Sequence, residues 1–210
     1  LAGEFSATTT GLAALTSASD PAAMLSDAFL LKLSASGAGY AADVVRQFGA
    51  EGDDTAAAVA VDSLDNVVLG GDFRFSVDFD NATEKSFTLH SSGDRDAYLV
   101  KLADDGEFQW ARVIGGFRED RLTDLTIDGV GHIYATGEFR DRVDFDPLDG
   151  THLLSTTTET TPEAFVAKLD EAGAFLWAAQ LGDHPGAVSR GAGVDVSNTG
   201  RVASVGEFEN

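Results

Sequence analysis

Asp96-Ala97-Tyr98-Leu99-Val100-Lys101-Leu102 has near-copies at Asp27-Ala28-Phe29-Leu30-Leu31-Lys32-Leu33 and Glu163-Ala164-Phe165-Val166-Ala167-Lys168-Leu169. Each copy opens with an acid and then alternates bulky positions with smaller or amphipathic ones, the two-residue period of a β-strand. Upstream of the three copies stands the tripeptide Gly-acid-Phe, at Gly3-Glu4-Phe5, Gly71-Asp72-Phe73 and Gly137-Glu138-Phe139, and a fourth tripeptide is Gly206-Glu207-Phe208. The tripeptides lie 68, 66 and 69 residues apart, and the heptads begin 24, 25 and 26 residues after them. Two more landmarks keep step. A turn glycine (Gly37, Gly106, Gly173) is followed in two copies by Phe-x-Trp, at Phe108-Gln109-Trp110 and Phe175-Leu176-Trp177. An apolar run with aspartate follows, at Val59-Ala60-Val61-Asp62, Leu125-Thr126-Ile127-Asp128 and Val194-Asp195-Val196. Four ordered landmarks at constant phase define an internal repeat.

Each unit contains four strand-like segments: the heptad, the Phe-x-Trp segment, the apolar-Asp segment and the one ending in Gly-acid-Phe. Turn chemistry separates them, as in Ser34-Ala35-Ser36-Gly37, Asp104-Asp105-Gly106 and Ser197-Asn198-Thr199-Gly200. Short strands joined this way form antiparallel meanders. Between Gly-acid-Phe and the heptad lies a longer stretch with Val77-Asp78-Phe79-Asp80 or Val143-Asp144-Phe145-Asp146, which predicts an extra hairpin on the rim. Pro21–Leu25 is the one short helix candidate. Four antiparallel strands apolar on both faces describe a blade buried between neighbours, whereas a solenoid coil would be shorter and two packed sheets are the alternative. The predicted fold is an all-β propeller segment of about three four-stranded blades, with Phe29, Tyr98 and Phe165 at equivalent buried positions. The repeat frame divides the chain into 1–70, 71–136 and 137–205, with 206–210 opening the next unit.

The pattern Asp-Ala-Phe-Val-x-Lys-Leu-Asp-x-x-Gly-x-Leu-x-Trp-Ala, followed by Gly-Gly and by apolar-Asp-x-x-Gly-x-apolar-Tyr-apolar-Thr-Gly-x-Phe, is best matched by Glu163–Ala178 and by Gly115-Gly116 with Asp128–Phe139. It resembles the bacterial seven-bladed β-propeller repeat family, and the Val-Asp-Phe-Asp insertion is similar to a long-repeat variant of large bacterial surface proteins. The resemblance spans essentially the whole chain. The first copy departs most, because Tyr40–Asp43 replace Phe-x-Trp with three extra residues and its insertion lacks Val-Asp-Phe-Asp. The resemblance implies a secreted or surface-displayed propeller without catalytic residues.

A net charge of −21, from 35 acidic and 14 basic side chains, disfavours nucleic acid and anionic membrane surfaces as partners. There is no cysteine, which excludes disulfides, thiolate metal sites and thiol nucleophiles. No run of 18 apolar residues is present. Starting and stopping within a repeat, the sequence reads as a piece cut from a longer chain. Its two ends hold complementary parts of one blade, so its expected partners are the remaining blades of a parent chain or a second copy.

The acidic loop Asp144-Phe145-Asp146-Pro147-Leu148-Asp149-Gly150 supplies three closely spaced carboxylates on a turn. Hard cations seek such oxygens, so Asp144, Asp146 and Asp149 are the candidate calcium ligands, against the simpler reading of aspartates capping a turn. Lys32, Lys101 and Lys168 share one repeat position, which predicts stems packed on the next blade and ammonium groups paired with carboxylates or carbonyls. A ring of ligand-binding lysines is the alternative. Trp110 and Trp177 keep the repeat frame and are expected to pack between blades. His90, His132, His152 and His184 fall at unrelated positions, without zinc spacing. No nucleophile elbow or phosphate loop occurs, and Gly182-Asp183-His184-Pro185 has the composition of a turn. The expected function is a non-enzymatic scaffold or binding module for protein or glycan, with a propeller-type glycan lyase or hydrolase as the alternative.

Overall fold

The computed structural model describes residues 26–37, 39–81, 85–146, 148, 150–182 and 186–209. The Gly3-Glu4-Phe5 tripeptide, the Pro21–Leu25 helix candidate, Asp149 and the Asp183-His184-Pro185 step lie outside them. The described residues contain no helix. Their strands are β1 (Ala28–Ser36), β2 (Gly39–Phe48), β3 (Thr55–Val61), β4 (Val67–Phe73), β5 (Ser76–Asp78), β6 (Thr88–His90), β7 (Asp96–Leu102), β8 (Phe108–Ile114), β9 (Arg121–Ile127), β10 (Ile133–Phe139), β11 (Arg142–Asp144), β12 (Leu153–Ser155), β13 (Glu163–Leu169), β14 (Phe175–Leu181), β15 (Val188–Val196) and β16 (Val202–Glu209).

Two complete antiparallel sheets form, in the orders β3-β4-β7-β8 and β9-β10-β13-β14. Two half-sheets flank them, β1-β2 before and β15-β16 after. The sheets are out of phase with the sequence frame, because each begins at the apolar-Asp strand and ends at Phe-x-Trp. The first strands β3, β9 and β15 pack side by side, and no contact of comparable extent joins the last strands β8 and β14. The sheets therefore splay from a common axis as propeller blades do.

Packing follows from strand alternation. Strands β4, β7 and β10 are buried along their whole length, and successive residues face opposite neighbours. Val67, Leu69, Phe73, Tyr98 and Val100 join Ala28, Val44 and Phe48 of the preceding half-sheet. Val68, Ala97 and Leu99 join Leu122, Leu125, Phe139 and Phe165 of the following sheet. Each fully buried aromatic contributes about 1.5–3 kcal/mol, which concentrates the stability at the joints between blades.

The glycine of Gly-acid-Phe has a specific cause. The first strand of each unit bulges opposite it, between Ala56 and Ala58, Leu122 and Asp124, and Gly191 and Gly193. The bulge turns a carbonyl inward, so that a Cβ on Gly71 or Gly137 would run into the carbonyl oxygen of Thr55 or Arg121. A second bulge falls in the outer pair, after Lys32, Lys101 and Lys168. There Val44 and Ala42 of the divergent first copy take the places of Trp and Phe, and the strand keeps its register.

The predicted rim hairpins are present as β5-β6 and β11-β12. Each starts from a left-handed residue, Phe75 (φ 60°) or Asp141 (φ 64°), and sends Val77 and Phe79, or Val143 and Phe145, into the core. Phe79 lies 4.9 Å from Tyr98 and 5.6 Å from Phe48, and Phe145 lies 5.0 Å from Phe165. The second hairpin also bridges to the preceding sheet through Gly115 and Asp144. These hairpins are clamps between blades.

One expectation fails. Tyr98 and Phe165 are each 1% exposed, but Phe29 is 54% exposed. The buried rings rest on a preceding sheet and on an inner strand, β4 or β10. Among the described residues β1 has neither.

Candidate functional site

At two of the joints a carboxyl ties the chain entering a blade to the strand beside it. The Oδ2 of Asp54 accepts from the Ala50 amide (3.1 Å) and its Oδ1 from the Arg74 amide (3.1 Å). Asp120 repeats this with the amides of Gly116 (2.7 Å) and Arg140 (2.9 Å). Asp96, which opens its heptad, accepts from the Ser92 amide at 2.7 Å. Asp54, Asp96 and Asp120 are each at most 2% exposed. Burial pushes the carboxyls of Asp54 and Asp96 up to about 6 and that of Asp120 up to about 8, the Asp96 charge adding to the last. In the last unit Ser189 occupies this position, and its amide donates to the Pro162 carbonyl as that of Asp120 does to Arg95. The constant eight-residue step from Asp54 to Asp62 and from Asp120 to Asp128 was the available sequence signal.

The turn acids are used in the same way. Asp62 Oδ1 accepts from the amides of Leu64 and Asn66, and Asp128 Oδ1 from those of Val130 and His132. In the last unit the turn residue is Ser197, whose Oγ accepts from the Arg201 amide at 3.0 Å. Asp195, grouped with the turn aspartates by sequence, lies within β15 instead.

Of the calcium candidates, Asp144 Oδ1 accepts from the amides of Asp146 (3.1 Å) and His152 (2.8 Å). Asp146 Oδ1 lies 3.4 Å from the Leu148 amide. The equivalent Asp78 Oδ1 accepts from Asp80 and Phe87. Among the described residues no group of three metal-ligating side chains converges, and Asp149 is not among those residues.

Lys32 and Lys101 reach the next blade, whereas Lys168 lies over a ring of its own sheet. Lys32 Nζ donates to the carbonyls of Asp65 (3.0 Å) and Asp104 (2.7 Å). Lys101 Nζ pairs with Asp62 at 3.0 Å and points to the Glu171 carbonyl at 3.5 Å. Lys168 Nζ lies 4.8 Å from the centre of the Tyr134 ring, a cation–π contact. The indole N–H of Trp110 donates to the Glu171 carbonyl (3.2 Å), and Arg112 donates to those of Ala172 and Gly173. Trp177 stands 6.3 Å from Tyr134. These groups belong to the joints.

The end of the sheets where β3 and β9 begin differs from blade to blade. Glu119 pairs there with Arg74 (3.3 Å), Arg121 (3.5 Å) and Arg140 (3.7 Å). Arg190 pairs with Glu138 at 2.8 Å, and Arg95 with Asp72. Phe75 and Phe117 project beside these groups, the latter 78% exposed. Part of this surface recurs, since Arg74 and Arg140 follow Gly-acid-Phe in two units, but its centre does not: Glu51, Gly52 and Asp53 stand where the next unit has Phe117, Arg118 and Glu119, and sequence reasoning missed it.

No protein-family model matches the chain. An uncharacterized WD repeat-containing protein of Acanthamoeba polyphaga mimivirus is 26% identical over 145 residues, which cover 65% of this chain and 10% of that protein. The chain thus spans about a tenth of the length of the relative it matches. With the splayed four-stranded sheets, this likeness makes the chain a segment of a repeat β-propeller. Both repeat tryptophans are followed by alanine, and the chain contains no Trp-Asp dipeptide.

Proposed function

We propose that the chain is part of a non-catalytic binding platform, in a secreted or surface-displayed bacterial protein of the seven-bladed kind, and that its ligand is a protein or a glycan. The observation that supports this most is the fate of the perturbed carboxyls. General acid–base chemistry needs a carboxyl of shifted protonation within reach of a substrate. Asp54, Asp96 and Asp120 are instead sealed in the joints and committed to backbone amides. The blade-specific groups form an ion-paired surface with two exposed aromatic rings, which suits recognition through stacking and charge-assisted hydrogen bonds.

The test is a polysaccharide array probed with the chain, combined with assays for reducing ends and for unsaturated products on every glycan retained. Retention without product is expected, together with at least a tenfold loss of binding in Phe117→Ala/Arg121→Ala. Release of product would establish the lyase or hydrolase alternative. Retention unchanged by that double substitution would move the binding surface elsewhere.

A further inference from the structure

We infer that Arg74, Arg121 and Arg140 form a binding site for a carboxylate carried on a sugar ring, that Glu119 occupies this site in the unbound protein, and that the ligand's carboxylate displaces the Glu119 side chain. The inference rests on the reading of this end of the sheets as a recognition surface, and it assigns the chemistry that the surface recognises.

The arginines outnumber the acids that hold them. Asp94 pairs with Arg74 at 2.9 Å, and Glu138 pairs with Arg140 (3.3 Å) and Arg190 (2.8 Å). Among the described residues, Glu119 alone reaches all three of Arg74, Arg121 and Arg140, at 3.3, 3.5 and 3.7 Å. Charge-assisted pairs of full strength close to about 2.7–2.9 Å, so one carboxylate is spread thinly over three cations. The Nε–H groups of Arg74 and Arg121 are shut away from solvent and find no acceptor among the described residues, which a satisfied structural network would not leave. Four guanidiniums thus share three carboxylates, a local excess of positive charge in a chain of net charge −21. Salt screens exposed charges beyond about 8 Å, so an anion here meets the guanidiniums rather than the rest of the chain.

The backbone around Glu119 is fixed while its side chain is not. Its carbonyl accepts from Arg140 Nη1 at 3.1 Å, and the neighbouring Asp120 is held by two amides. The backbone of Phe117 lies so close to Gly93, in the turn before β7, that a Cβ there would run into it. Displacing Glu119 therefore needs only a rotation of a side chain that is 29% exposed. A ligand carboxylate then restores the same pairs without changing the local charge.

Two rings beside the arginines set the ligand class. Phe117 and Phe75 are both largely exposed. Phe75 sits in the left-handed region, where the next unit places Asp141. Aspartate tolerates that conformation and a bulky residue does so at a cost, so the hairpin itself does not require the ring. A pyranose bearing a carboxylate offers an apolar C–H face to such rings and an anion to the guanidiniums. Peptides dock instead by strand addition or in an apolar groove, whereas this end of the sheets presents charged heads and isolated rings. The net charge repels a dense polyanion, so the ligand is an acidic residue within an otherwise neutral glycan.

The experiment is an NMR titration of the isotopically labelled 210-residue chain with millimolar methyl β-glucuronide. It is read from the arginine Nε–H signals of Arg74, Arg121 and Arg140 and from the amides of Phe117 and Glu119. Methyl β-glucoside and N-acetylglutamate amide are the matched probes. Saturable shifts are expected with the glucuronide alone. Glu119→Gln, which removes the competing carboxylate, should bind it about fivefold tighter, the contribution of one part-exposed ion pair. Arg121→Ala should abolish the shifts and leave the amide spectrum of the strands unchanged. No response to the glucuronide in the unaltered chain and in Glu119→Gln would overturn the inference, and weaker binding in Glu119→Gln would overturn displacement. An equal response to the glucoside would overturn the carboxylate, and an equal response to N-acetylglutamate amide would overturn the sugar. A silent titration beside a glycan retained on the array removes this site and leaves the binding platform standing. Saturable shifts beside an array that retains nothing remove the platform and keep the site.

Discussion

Asp120 shows how one residue carries a joint. Its carboxyl accepts two buried amides from two different segments, and burial raises its protonation to about 8, with Asp54 and Asp96 following at about 6. A carboxyl whose folded value lies above its unfolded one stabilises fully below the unfolded value, near 4, and loses that contribution as pH rises through the folded value. The chain is therefore expected to melt several degrees higher at pH 5 than at pH 8. Asp120→Asn, which fixes the neutral form, should flatten that dependence. Asp120→Ala leaves two buried amides without an acceptor and should cost about 2–4 kcal/mol at either pH. A melting temperature that rises from pH 5 to pH 8 would contradict this role. Asp62 works in the opposite sense. Against the desolvation of burial, hydrogen bonds from Asn66, Lys101 and two amides hold it below the usual carboxylate range, so its contribution fades only in stronger acid.

At the scale of elements, the strands and their order were legible in the sequence because each recurs at a constant phase, twice or more. The heptad, the turn glycines and Gly-acid-Phe mark three strands and their hairpins through residue pattern alone. The rim hairpin was legible from Val-Asp-Phe-Asp, although its role as a clamp was not. That role depends on Phe79 reaching Phe48 and on the bridge from Asp144 to Gly115, contacts between blades that no local pattern encodes. Phe145→Ala is expected to cost about 3–5 kcal/mol, as a core aromatic does, whereas Phe87→Ala on the exposed side of the other hairpin should cost far less; thermal or denaturant melts compare them. The same hairpin tests calcium. If Asp144, Asp146 and Asp149 bind it, millimolar calcium raises the melting temperature and Asp146→Ala abolishes the rise. An unchanged melt with and without chelator leaves the loop as an amide-capped turn.

At the scale of the molecule, the sequence frame and the structural blade differ by a phase. Gly-acid-Phe is the most visible landmark, so units drawn from it cut each sheet between its second and third strands. The exposure of Phe29 has the same origin: a repeat supplies the residue, but burial needs the neighbouring blade. Glu119 and Phe117 at the centre of the ion-paired surface were invisible because a periodic pattern hides whatever does not recur. Hydrogen exchange read by mass spectrometry tests the radial arrangement most directly. Amides of β4, β7, β10 and β13, buried in the middle of complete sheets, should exchange slowest and as one group. The amides of β16, which pairs only with β15 among the described residues, should exchange faster than these. Equal protection of β16 and β10, or rapid exchange in β4 and β7, would contradict the splayed-blade arrangement.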